Sequence, residues 1–197
     1  MRLTIHHFAS AMALFLAAQA AQAQLFSVNI DTQALQGMDG VLSFQLGGDA
    51  NRPGVLATIS RFTGAQLGDV LDQSQQQGQL GQQLQLNSQG AQALASWTQS
   101  IIYGHQLHFV LDFAGDWLNQ PSTDGMSFSL QLLDKDFNLL KTNQAGLASL
   151  QFNALPGQLQ QDHATGVQVA PVPEPESYAL LGLGLAALYA RSRRRQR

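Results

Sequence analysis

The stretch MSFSLQL, residues 126–132, alternates apolar and polar side chains at every position. Successive side chains of a β-strand point to opposite faces, so this alternation predicts a strand with one buried face. Residues 107–113 place apolar side chains at every second position in the same way. Shorter runs of this kind recur at residues 26–30, 42–46, 55–59, 80–86 and 148–152. Many short strands separated by turn residues predict an all-β fold, an antiparallel β-sandwich with a jelly-roll-like arrangement.

Residues 91–103 fit two interpretations. Leu94, Trp97 and Ile101 have helical spacing, whereas Trp97, Ile101 and Tyr103 have the spacing of a strand. The periodicity alone leaves both open.

Composition separates the middle of the chain from its ends. The 197 residues include no cysteine, which excludes disulfides, cysteine-ligated metals and thiol nucleophiles. Residues 24–171 hold eleven acidic and four basic residues, a net charge of −7, which excludes nucleic acid as a partner. We expect the β-domain at residues 24–153, with a solvated Gln-rich loop at 72–79. A linker, polar at first and then Pro-rich, is expected at residues 154–176.

The N-terminus has the order of a secretory signal peptide. A weakly basic start precedes an apolar run, residues 8–18, and Ala-Gln-Ala then occurs twice. Ala21 and Ala23 supply the small residues that signal peptidase accepts at positions −3 and −1. We predict a signal peptide at residues 1–23 and a mature chain that begins at Gln24. The alternative is a buried helix of a cytosolic domain.

The C-terminus, residues 171–197, combines a Pro-rich break, an uncharged apolar run and an arginine cluster. The run at residues 177–190 would form a helix of about 21 Å, shorter than the hydrocarbon thickness of about 30 Å. We predict one short transmembrane helix there, with a cytoplasmic tail at residues 191–197. The alternative is an apolar helix packed on the domain. The arginines predicted to act as a membrane stop are Arg191, Arg193, Arg194, Arg195 and Arg197.

This tail resembles the PEP-CTERM sorting signal of Gram-negative bacteria. Val172, Pro173, Glu174 and Pro175 match its sorting motif, and the apolar run and arginines follow in the same order. The stretch SFSLQLLD, residues 127–134, also resembles a group of small exported PEP-CTERM proteins. The resemblance implies recognition by exosortase, a membrane protease or transpeptidase, in bacteria that make exopolysaccharide and biofilm. It implies sorting and processing and no particular molecular activity.

Histidine and glycine patterns predict no metal or dinucleotide site. His105 and His108 are three residues apart, so on a strand they face opposite ways, and His163 lies in the expected linker. The glycine-rich stretch at residues 182–187 has neither the preceding strand nor the following acidic residue of a dinucleotide-binding fold.

Asp134, Asp136 and Asn138 carry oxygen at alternate positions, as at the start of a calcium-binding loop. An EF-hand requires Gly at its sixth position and Glu at its twelfth, where this chain has Leu139 and Ala145. We therefore predict a hairpin turn at this point, no bound calcium and no other cofactor.

Two further hypotheses concern residues 112–119. Trp117, with Asp116 and Asn119 beside it, would stack on a sugar ring and bind its hydroxyl groups if exposed. The alternative is that the Trp117 side chain caps the end of the sandwich. Asp112 and Asp116 are the carboxylate pair to inspect for a glycoside hydrolase, which needs a separation of roughly 5–9.5 Å.

The leading hypothesis is a non-enzymatic exported protein of the cell surface or extracellular matrix of a Gram-negative bacterium. Its expected partners are signal peptidase, an exosortase-type membrane protease, the inner membrane in the precursor and exopolysaccharide. The alternatives are a secreted hydrolase that acts on polysaccharide and a permanently membrane-anchored carbohydrate-binding module.

We expect Ala23→Arg to impair removal of the signal peptide, because a bulky charged side chain does not fit the pocket of signal peptidase. The exported wild-type chain should begin at Gln24. N-terminal sequencing checks both statements, and an exported chain that begins at Met1 would contradict the assignment.

Overall fold

The computed structural model describes residues 25–47, 55–88, 94–115, 126–142, 146–147, 149–155, 158–163, 166–172, 182 and 184. The described residues from Leu25 to Ala170 belong to one compact unit. The predicted signal peptide lies outside the described residues. Of the predicted transmembrane helix only Gly182 and Gly184 are described, and both have helical backbone. Within the described part of the chain, no helix has the length and hydropathy needed to cross a membrane.

Between residues 25 and 172, the described residues form β-strands, connecting turns and one short 3-10 helix, Gln33–Leu35. The strands are β1 (Leu25–Asp31), β2 (Asp39–Gly47), β3 (Val55–Ser74), β4 (Gln76–Gln79), β5 (Gln83–Ser88), β6 (Leu94–Gly115), β7 (Met126–Asp134), β8 (Lys141–Thr142), β9 (Gly146–Leu147), β10 (Ser149–Leu155), β11 (Gln158–His163) and β12 (Val167–Pro171). Ten of the strands make one antiparallel sheet in the order β11-β10-β7-β2-β6-β3-β5-β4, with β1 paired to β6 and β12 paired to β1. The remaining two strands, β8 and β9, pair with each other.

Two long strands connect the parts of this sheet. Strand β6 has 22 residues and strand β3 has 20, and the two pair along most of their length. The opposite edge of β6 pairs first with β2 and then, beyond Tyr103, with β1. The β1 half consists of β1, β12, β5, β4 and the adjoining parts of β6 and β3. The β2 half consists of β2, β7, β10, β11 and the other parts of β6 and β3.

The two halves bury their apolar faces against each other. The ring of Phe26 on β1 lies 5.1 Å, centroid to centroid, from that of Phe152 on β10, although these strands are not paired. The rings of Phe113 on β6 and Phe128 on β7 lie 5.6 Å apart. The prediction of an all-β antiparallel fold is confirmed. The expected jelly-roll-like sandwich differs from this structure, because one continuous sheet forms both layers.

Glycine allows β3 and β6 to bend where they cross from one half to the other. A Cβ atom on Gly64 would overlap the carbonyl of Gln106, and one on Gly104 would overlap the carbonyl of Gly64. The pairing register shifts on both sides of Thr63, and Arg61 has a φ of 55°. Bulges of this kind increase the local twist and bend a strand. The backbones therefore approach at the bend to a distance that no side chain permits.

Tyr103, on β6, is hydrogen-bonded to both β2 and β7 next to this bend. Its buried hydroxyl lies 3.0 Å from the carbonyl oxygens of Val41 on β2 and Leu133 on β7, and donates its proton between them. The ring covers Gly40, where a Cβ atom would overlap it. Burial raises the pKa of Tyr103, so the hydroxyl stays protonated and remains a donor.

Two segments expected to lack strands form part of the sheet. The linker predicted at residues 154–176 contains the end of β10, all of β11 and all of β12. The Gln-rich loop predicted at residues 72–79 is the end of β3 followed by β4, whose side chains are largely exposed. The sequences of β4 and β11 are mostly polar, so composition did not distinguish these strands from loops. The ambiguous stretch at 91–103 is strand from Leu94 onward.

Gly64→Ala should destabilise the domain far more than Gly37→Ala. Both glycines have positive φ, 99° and 79°, but a Cβ atom on Gly37 meets no atom within 4 Å. The Gly37→Ala control should lose about 1 kcal/mol of unfolding free energy, because a positive φ is unfavourable for alanine. The overlap at Gly64 should add a further loss of about 1–3 kcal/mol. Urea unfolding measures both, and equal losses would contradict the close crossing.

Candidate functional site

The C-terminal strand carries the chain to the start of the predicted sorting motif. Strand β12 pairs with β1, and the backbone N–H of Asp31 donates to the carbonyl of Gly166 at 2.9 Å. The side chain of Val167 is 4% exposed and belongs to the core, and Val169 packs against that core. The strand ends at Pro171. The sheet therefore extends to within two residues of Pro173.

The sorting residues beyond this strand are only partly described. Val172 follows β12 and is half-buried. Pro173, Glu174, Pro175 and the arginines of the predicted membrane stop lie outside the described residues, as do Ala21, Ala23 and Gln24. Their roles stay predictions.

The turn after β7 uses the oxygen atoms considered for calcium. Asp134 Oδ1 accepts the backbone N–H groups of Asp136 and Asn138 at 2.8 Å, and Oδ2 accepts Asn138 Nδ2 at 2.9 Å. These hydrogen bonds hold the pKa of Asp134 below its ordinary value of 3.8, and the bond from the Asn138 side chain has the largest effect. Asp136 pairs with Lys135 Nζ at 2.8 Å on the surface. The turn predicted at this point is present.

No group of three or more potential His, Cys, Asp or Glu metal ligands occurs in the described part of the chain. His108 Nδ1 lies 2.9 Å from Asn29 Oδ1, across the β1–β6 pair, while His105 is exposed. The histidine ring thus interacts with a neighbouring strand of the sheet. Asp112 lies on β6, but Asp116, Trp117 and Asn119 lie outside the described residues, so neither the carboxylate pair nor the sugar contact is tested.

An apolar groove of about 550 Å³ was missed by the sequence analysis. It lies where β2, β3 and β6 meet the turn after β7. Leu67, Leu71, Ile102 and Phe137 are exposed along it, Phe137 at 57%. Phe137 has a φ of 64°, an unusual conformation for a bulky residue. The apolar residues of β3 between 65 and 74, which break strict alternation, are the only sequence signal for this surface.

Comparison with known proteins locates a match in the C-terminal segment. The family model of the PEP-CTERM protein-sorting motif matches residues 171–195. The chain carries a PEP-CTERM protein-sorting motif at its C-terminal end. The resemblance inferred from the tail is therefore confirmed. No curated protein and no solved structure matches the chain.

The PEP-CTERM match begins at Pro171, which is also the last residue of β12. Pro171 therefore belongs both to the last strand of the sheet and to the matched motif. A motif of this family indicates a bacterial protein that is exported and targeted to exosortase, a membrane protein.

Asp134→Ala should lower the melting temperature at neutral pH, because it removes the three hydrogen bonds that the Asp134 carboxylate accepts within the turn. Since the folded-state pKa of Asp134 is depressed, this stabilisation is present above the unfolded pKa of about 4 and is lost as pH falls through the folded pKa. Wild type and variant should therefore converge in melts at decreasing pH. Asp136→Ala, which removes only an exposed ion pair, is the control and should change little.

Wild-type melts in EDTA and in millimolar calcium should coincide, because the Asp134 oxygens already accept hydrogen bonds. Calcium at 100 times its Kd would stabilise the fold by about 2.7 kcal/mol. A calcium-dependent rise that Asp134→Ala abolishes would contradict this assignment of the turn.

Proposed function

We propose that this protein is a non-enzymatic exported protein that delivers an acidic β-domain to the cell surface or extracellular matrix of a Gram-negative bacterium. Signal peptidase removes residues 1–23, and the helix at residues 177–190 holds the precursor briefly in the inner membrane with its arginines in the cytoplasm. An exosortase then processes the chain at the motif that includes Glu174. The mature domain associates with exopolysaccharide in a biofilm.

The junction at Pro171 is the observation that carries this proposal. The core and the sheet, as described, are built from residues up to the end of β12, and the matched motif starts there. Loss of the chain beyond Val172 would leave every described strand in place. This division supports a cargo domain followed by a removable sorting tail.

Contacts within the domain support a structural rather than a catalytic role for its polar groups. The Tyr103 hydroxyl holds two strand carbonyls, His108 contacts Asn29, and Asp134 closes its own turn. The net charge of −7 over residues 24–171 also disfavours contact with anionic polymers. A neutral or cationic exopolysaccharide is therefore the partner that fits this surface.

Glu174→Ala should slow processing of the precursor in a host that produces the sorting enzyme, because it removes both the charge and the shape of the side chain. Glu174→Gln keeps the shape and is the matched variant, so its effect should be smaller. Pulse-chase labelling followed by western blotting measures both rates. If Glu174→Ala matures to the same mass at the wild-type rate, the tail is an ordinary anchor.

Deletion of residues 191–197 separates membrane retention from cleavage. The short apolar run inserts only marginally, so without the cytoplasmic arginines the chain should be released unprocessed. Cell fractionation distinguishes this outcome from the slow but membrane-bound processing expected of Glu174→Ala. Retention of the truncated chain in the membrane would contradict the role given to the arginines.

A further inference from the structure

The short strand β12 holds the residues that immediately precede the sorting motif. This five-residue strand pairs with β1, which is its partner among the described strands. Val167 anchors the strand in the core, whereas Gln168, Ala170 and Pro171 are exposed. Strands with one partner and few buried side chains open at lower free energy than central strands. Strand β12 is therefore fixed in place, but by a small number of contacts.

The chain between this strand and the motif is short and stiff. Only Val172 separates Pro171 from Pro173, so the Cα atoms of the two prolines are at most about 7 Å apart. Each proline restricts the preceding residue, Ala170 or Val172, to an extended backbone. A compact domain the size of residues 24–170 has a radius of gyration on the order of 15 Å. The connecting chain is thus shorter than the domain to which it is joined.

An enzyme that binds an extended segment uses its backbone hydrogen-bonding groups on both sides of the recognised residues. On the N-terminal side of Pro173, those residues already belong to the sheet through β12. Access to the motif from that side therefore competes with the pairing of β12 to β1.

We propose that the pairing of β12 with β1 restrains the sorting motif, so that processing proceeds through molecules in which β12 has left the sheet. This inference rests on the proposed function, because it concerns the same sorting step. The stability of one edge strand then sets the rate at which the folded protein is processed. A domain that holds β12 firmly is retained longer as a precursor.

Val167→Ala tests the restraint, because it removes two buried carbon atoms and leaves the motif unchanged. Gln168→Ala, on the same strand with an exposed side chain, is the matched control. In a pulse-chase experiment with the full chain in an exosortase-producing host, Val167→Ala should be processed on the order of tenfold faster than the control. Equal processing rates for the two variants would overturn the restraint.

An insertion of four Gly-Ser pairs between Pro171 and Val172 tests the same inference without altering β12 or the four residues from Val172 to Pro175. Eight flexible residues add a root-mean-square reach of about 16 Å, so the enzyme no longer needs β12 to open. Processing should again accelerate, and this variant decides the matter if Val167→Ala does not accumulate. Wild-type-like processing of the insertion overturns the restraint and leaves sorting intact. Failure of the wild-type chain to be processed overturns the sorting function itself, and the restraint with it.

Discussion

The backbones of Gly64 and Gly104 pass so closely that neither position has space for a side chain. Because β3 and β6 bend at this point, β6 exchanges one neighbour, β2, for another, β1. The β1 and β2 halves can then bury the phenylalanine rings between them. The position of β1 in turn provides the edge to which β12 binds. The position of Pro171, the first residue of the matched motif, thus depends on a bend more than sixty residues earlier in the chain.

Irregular pairing beyond the bend is tolerated because the polar groups it displaces find partners. The pairing of β3 with β6 shifts register between Leu67 and Val70. The carbonyl of Gly68 accepts a hydrogen bond from Gln99 Nε2 at 2.8 Å, and Trp97 Nε1 donates to Gln99 Oε1 at 3.1 Å. A buried amide between two such partners avoids the cost of an unsatisfied polar group. The same principle explains Tyr103, whose hydroxyl serves two strands.

Alternation in the sequence identified the strands with one buried face, including β2, β7 and the second part of β6. It could not show that 94–103 and 107–113 belong to one bent strand, because the bend depends on a distant contact between Gly64 and Gly104. Strand β11, with Leu159 as its only aliphatic residue, has no apolar stripe to detect. The sorting tail was predictable because the order of its prolines, apolar run and arginines can be read directly from the sequence and depends on no tertiary contact. The groove beside Phe137 was not, because its residues come from four separate segments.

The acidic β-domain ends at Pro171, where the matched sorting motif begins. Intact-mass measurement of the mature protein from its native host tests that claim most directly. The expected mass is that of a chain that begins at Gln24, retains β12 and lacks the apolar run and arginines from residue 177 onward. A mature mass that still includes Arg191, Arg193, Arg194, Arg195 and Arg197 would contradict the account.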